Sequence, residues 1–295
     1  MAVPPESHVT LSSDALSAEL DPKGAQLSAL RDRDGRDLLW NGDPAIWAGR
    51  APILFPIVGV LVDGKYRLGS TSYSLPRHGF ARNRMFTLES ANATTAVFRL
   101  HDDEETLLVY PFRFNLDIQF RLTGPTLSMT ATIRNLGNEI MPASFGFHPA
   151  FRWPLPQGQD RAGHFIEFAT DEPDPVRRLD AAGLLSPERH ATPIVQRRLV
   201  LTDELFKSDA LILDRIRSRS VVYAGTAGTQ LQVSFADSPY LGIWTKPGAQ
   251  FICIEPWHGI SDPAGFSGDF HDKLGINLIA AGGSFSTTMA VSLLP

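Results

Sequence analysis

Strand-period alternation dominates the chain. From Asp117 to Arg134, Ile118, Phe120 and Leu122 alternate with Gln119 and Arg121, Gly124-Pro125 marks a turn, and Leu127, Met129, Ala131 and Ile133 then alternate with Ser128, Thr130 and Thr132. Successive side chains of a strand point to opposite faces, so this text predicts an antiparallel hairpin with one buried and one polar face. Shorter runs of the same kind lie at Ala15 to Leu20, Gln26 to Arg31, Thr95 to Leu100, Phe165 to Ala169, Ser220 to Tyr223, Gln230 to Ala236, Leu241 to Thr245 and Phe285 to Leu294. A helical stripe is missing from every stretch of useful length, and helix is expected only as short pieces near Asp103 to Leu108 and Asp203 to Lys207. Many short strands separated by glycine and proline predict an all-β protein built as a large antiparallel sandwich. The charged, proline-rich segment Asp171 to Arg198 reads as a long surface connection inside one domain spanning residues 1–295, because similar strand text continues on both sides.

Composition narrows the partners. With 43% hydrophobic and 20% charged residues the chain falls outside the disordered class. A net charge of -5 argues against a nucleic-acid footprint. No apolar run approaches the ~20 residues needed to cross a bilayer, and Met1-Ala-Val-Pro-Pro-Glu6 lacks the basic and apolar regions of a signal peptide. The single cysteine, Cys253, has no internal partner for a disulfide and sits in a hydrophobic strand, where a buried inert thiol is expected. These readings point to a cytoplasmic protein with no nucleic-acid and no membrane partner.

Candidate chemistry sits in four segments. In Phe251-Ile-Cys-Ile-Glu-Pro-Trp-His258, strand geometry puts Phe251, Cys253 and Glu255 on one face and Ile252 and Ile254 on the other, and Pro256 is expected to end the ladder. A carboxylate there could do proton chemistry; it could also be a solvated acid at a strand end. Arg50 introduces the apolar run Ala51 to Gly59 and offers fixed donors suited to hydroxyls, or is simply solvated. His78, followed by Gly79, could face a ligand, although a loop histidine often has no such role. His148 lies among Phe145, Phe147 and Phe151, where an imidazole can exchange protons near neutrality or settle into the core against a carbonyl. Glu255, His258, Asp262 and His271 match no metal-ligand spacing, so no metal is expected. Nucleophile elbows, Walker loops and dinucleotide fingerprints are absent from the text.

Taken in order, Trp47 to Gly59, Arg77-His-Gly-Phe-Ala-Arg82, Phe145-Gly-Phe-His-Pro-Ala-Phe151, Lys207-Ser-Asp-Ala-Leu-Ile212 and Trp244 to Ile260 resemble the aldose 1-epimerase (galactose mutarotase-like) family, specifically its LacX-like branch. The resemblance covers the chain from about Trp40 to its end. It implies a β-supersandwich with a sugar site in a concave cleft. By motif position it implies His148 as general acid, Glu255 as general base, His78 as a second imidazole on the sugar, and Arg50 and Asp209 as substrate-binding residues. Trp257, Phe80 and Phe147 are expected as apolar walls. The implied reaction opens and recloses a hexose hemiacetal without cofactor, interconverting α and β anomers. Two alternatives remain open: a sugar-binding or sensor protein without turnover, and a hexose-6-phosphate epimerase using Arg77, Arg82 or Arg84.

Overall fold

The computed structural model describes residues 8–157 and 160–295; the Met1 to Glu6 segment lies outside them. Two large antiparallel sheets form the body, one of nine strands and one of eight. In the nine-stranded sheet the hairpin Phe114–Thr123 and Thr126–Asn135 pairs as the alternation predicts, with Leu127 opposite Leu122 and Ile133 opposite Leu116. Its polar face is matched across strands: Thr130 meets Thr288 at 2.9 Å and Thr132 meets Ser286 at 2.9 Å. The apolar face packs Ile118, Phe120, Met129 and Val291 into one core with Leu241, Ile243, Ile252 and Ile254 of the eight-stranded sheet. Helix is confined to short pieces, the longest being Glu104–Val109, where Asp103 accepts from the Thr106 N–H and Thr106 Oγ1 accepts from the Asp103 N–H. Among the described residues no helix is long and apolar enough to cross a membrane.

Two expectations are corrected. The segment from Asp171 to Arg198 is not merely a connection, because Val176–Leu179 and Leu185–His190 pair as the outer hairpin of the eight-stranded sheet. Asp180 Oδ1 holds its turn by accepting from the Ala182 and Leu184 N–H groups, and Gly183 supplies the left-handed residue with φ +80°. Pro187 is tolerated because Leu185–His190 is an edge strand, where a missing donor costs little.

Pro256 likewise does not stop its strand, which runs from Phe251 to His258 through the middle of the sheet. On one side the strand pairs with Tyr240–Trp244, and on the other with two separate pieces, Phe145–Phe147 and Ala150–Arg152. Strand N–H groups point alternately to the two sides, and the Ile254 N–H donates to Pro149 O at 3.3 Å. The donor that Pro256 lacks would face the same side, opposite Phe147 at the end of the first piece. His148 stands in the gap between the two pieces, next to it.

Candidate active site

Register brings the two proton-exchange candidates together. Phe145 pairs with His258 and Gly146 with Trp257, and beyond the gap Ala150 pairs with Cys253, so the count is unbroken and His148 lies opposite Glu255. Both side chains project from the face turned away from the main core. His148 Nε2 is 3.1 Å from Glu255 Oε2. Both residues are buried, at 8% and 1% exposure, and Glu255 Oε2, His148 Nδ1 and Trp257 Nε1 make no well-formed hydrogen bond within the described residues. Buried polar atoms in this condition are uncommon in folded proteins.

A cavity of about 160 Å³ opens over the pair. Its lining includes His78, Asp209, Trp47, Trp244 and Trp257. Trp47 stacks on His148 with ring centroids 5.2 Å apart, and Trp244 meets the same imidazole edge-on at 6.0 Å. These rings fix the plane of the imidazole. The aromatic walls are therefore Trp47, Trp244 and Trp257, whereas Phe80 and Phe147 pack into the main core.

His78 is held by its neighbours in a single protonation form. The Gly59 N–H donates to His78 Nδ1 at 3.0 Å while the His78 N–H donates to Gly59 O at 2.8 Å. An Nδ1 that accepts leaves the ring proton on Nε2. Burial, with His148, Arg82 and Arg77 as further causes, pushes this imidazole well below its ordinary range. His78 is thus a neutral donor. The turn that presents it needs a glycine at 79, where φ is +71° and an added Cβ would lie 2.1 Å from Phe55 O.

Electrostatics disfavour charge on the central pair. Burial pushes the Glu255 carboxyl well above the usual carboxylate range, and the Asp209 charge adds to the effect. Burial pushes His148 down to about 3. A neutral imidazole beside a carboxylic acid holds the same number of protons as an imidazolium beside a carboxylate. The two forms differ only in where one proton sits.

Arg50 does not join this group. Its Nη1 donates to Ser28 O at 2.6 Å and its main chain accepts no part in the cavity, the Arg50 and Ala51 N–H groups both donating to Gln26 Oε1. The guanidinium groups at the cavity are those of Arg77 and Arg82. Neither has a carboxylate partner among the described residues, and Arg82 Nη2 donates only to the Arg77 carbonyl at 2.8 Å. Arg84 is turned elsewhere, pairing with Glu105 at 2.6 Å.

The four acids and histidines weighed as a metal set have separate partners. His258 lies 3.7 Å from Asp237, His271 is 2.7 Å from Asp269, and Asp262 pairs with Lys273 at 2.8 Å. This last pair is buried, and sequence reasoning gave no hint of it. Lys273 Nζ also donates to Ile260 O at 2.6 Å, while the other Asp262 oxygen accepts from the Val62 N–H at 3.0 Å. Ser261 Oγ accepts from the Val60 N–H at 3.1 Å. Together these bonds tie the loop after Gly59 to the end of the Glu255 strand and so fix one cavity wall.

Known proteins share this fold. The aldose 1-epimerase family profile matches residues 7–272. The chromosomal LacX protein of Lactococcus lactis subsp. lactis is 36% identical over 264 residues, 86% of this chain and 88% of that protein. A solved galactose mutarotase related enzyme from Lactobacillus acidophilus superimposes with a TM-score of 0.92 at 29% identity, covering 98% of each chain. A Cenchrus ciliaris protein provisionally named glucose-6-phosphate 1-epimerase is 29% identical over 147 residues, 44% of this chain and 41% of that one. With most of its length matched by the profile and by LacX, the chain belongs to the aldose 1-epimerase family, beside the LacX proteins.

Proposed function

We propose that the protein is a cofactor-independent aldose 1-epimerase acting on a hexose. The observation that carries this reading is the contact of His148 with Glu255 at the floor of the cavity. Ring opening removes the proton of the anomeric hydroxyl and adds one to the ring oxygen, two atoms bonded to the same carbon. A base and an acid in mutual contact can reach both. Glu255 as carboxylate takes the hydroxyl proton while His148 as imidazolium donates to the ring oxygen. The open aldehyde rotates about its first carbon–carbon bond and recloses on its other face with the roles exchanged.

In the free protein the pair favours its neutral form. Sugar hydroxyls entering the cavity supply the hydrogen bonds that Glu255 Oε2 lacks and move the balance toward the ionic form. His78 donates from Nε2 to a sugar oxygen, Asp209 accepts from a hydroxyl, and the tryptophans cover the C–H faces. The lone buried Cys253 suits a reducing compartment such as the cytoplasm.

A second reading, a hexose 6-phosphate as substrate, is favoured by Arg77 and Arg82, two cations at the cavity without carboxylate partners. Proton-exchange NMR of anomer interconversion with glucose, galactose and their 6-phosphates, beside Glu255→Gln, separates these readings. Acceleration of the free sugars supports the first and acceleration of the phosphates alone supports the second. Sugar binding with no acceleration by the parent chain would reduce the protein to a carbohydrate-binding module and defeat the epimerase reading.

A further inference from the structure

Behind the cavity floor, Cys253 shares the face of Glu255 two residues along the same strand. A ring nitrogen of His148, the Cys253 sulfur and a Glu255 oxygen all lie within 4.8 Å of one another, and all three residues are buried. We propose that these side chains form an inhibitory site for a thiophilic divalent cation, zinc being the physiological case.

Imidazole, thiolate and carboxylate are the three ligand types that zinc takes, and three protein ligands with one open position is the arrangement of an accessible tetrahedral site. Usual zinc bond lengths place neighbouring ligand atoms about 3.3–3.6 Å apart. The His148 to Glu255 separation of 3.1 Å is already close to that value. The sulfur has to approach by roughly an ångström, a side-chain rotation's worth. His148 is held in plane by Trp47 and Trp244, so two ligands adjust around a fixed third.

Charge also balances. Binding releases the thiol proton of Cys253 and the acid proton of Glu255, and the two anions neutralise the cation, leaving no net charge in a buried place. The ion itself supplies the field that deprotonates a thiol which burial otherwise holds well above its ordinary range. The cavity, lined by His148 and Glu255, gives the approach to two of the three ligands. A cation seated there occupies both groups proposed to exchange protons with sugar, and turnover stops.

The full chain is titrated with Co²⁺ and followed by absorption, then Zn²⁺ is added. Cys253 is the only thiol in the protein, so a thiolate-to-cobalt charge-transfer band reports this site and no other. The expected result is a band saturating at one cobalt per chain, abolished by zinc, with affinity lowered at least about ten-fold in Glu255→Gln, which keeps size and shape. His148→Asn repeats the test should the first variant melt early. Absence of the band in the parent, or a band of undiminished affinity in these variants, overturns the proposal. Because absorption is read without turnover, a chain that fails as an epimerase still decides the question.

Discussion

His148 and Glu255 face each other at a break in the sheet, with Nε2 and Oε2 3.1 Å apart and both residues buried. His148 lies between two pieces that both pair with the Glu255 strand, so the register of those pieces fixes it opposite the acid.

Glu255→Gln keeps the shape of the floor and removes its exchangeable proton. The expected result is a kcat lower by about 10²–10⁴ with sugar affinity changed only a few-fold, read by NMR exchange and by titration of sugar binding. A variant turning over at the parent rate would take Glu255 out of the reaction.

Asp209→Asn tests the coupling between the two acids. The Asp209 charge helps hold Glu255 above the usual carboxylate range, so removing it lowers the Glu255 value. The limb of the kcat/KM profile set by Glu255 ionisation should move to lower pH. An unmoved limb would assign that titration to another group.

His148 couples stability to acid. Its value of about 3 lies below the unfolded value near 6.5, so the unfolded chain takes up the proton first and stability falls as pH drops through that window. His148→Asn should flatten the decline in melting temperature between about pH 6.5 and about pH 3. Parallel parent and variant curves would contradict a buried, neutral imidazole.

Lys273→Met strands the Asp262 carboxylate in the interior. Both side chains are almost wholly buried, and losing one partner of such a pair costs about 3–5 kcal/mol. Denaturant unfolding should show a loss of that order. Because Asp262 and Ser261 brace the loop from Gly59 to Val62, KM should also rise more than kcat falls.

Much of this was legible as text. The Ile118 to Ile133 hairpin reads directly, since period-two alternation is a local property. His78, His148 and Glu255 are marked by their own segments and Asp209 only by the family resemblance, and all four line one cavity. Arg50 lies apart from these four, its guanidinium donating to the carbonyl of Ser28 on a neighbouring strand, and an arginine beside an apolar run looks the same in sequence whether it serves a ligand or a carbonyl. Trp47 and Trp244 stood inside recognisable motifs, yet nothing local distinguished them as cavity walls from Phe80 and Phe147 in the core. The Lys273 and Asp262 pair and the opposition of His148 to Glu255 depend on contacts between distant segments, which alternation does not encode.

The proline after Glu255 changes what kind of break the sheet carries beneath the cavity. A sheet interior ordinarily demands that each amide find a carbonyl, so a missing strand segment leaves stranded donors that must be plugged. With Pro256 the strand has one fewer amide to satisfy on the side of the interruption. Any other amino acid there would add an N–H on that side, opposite Phe147 and beside the interruption. The interruption in the ladder is thus written into the chain itself, and the imidazole opposite the acid occupies it.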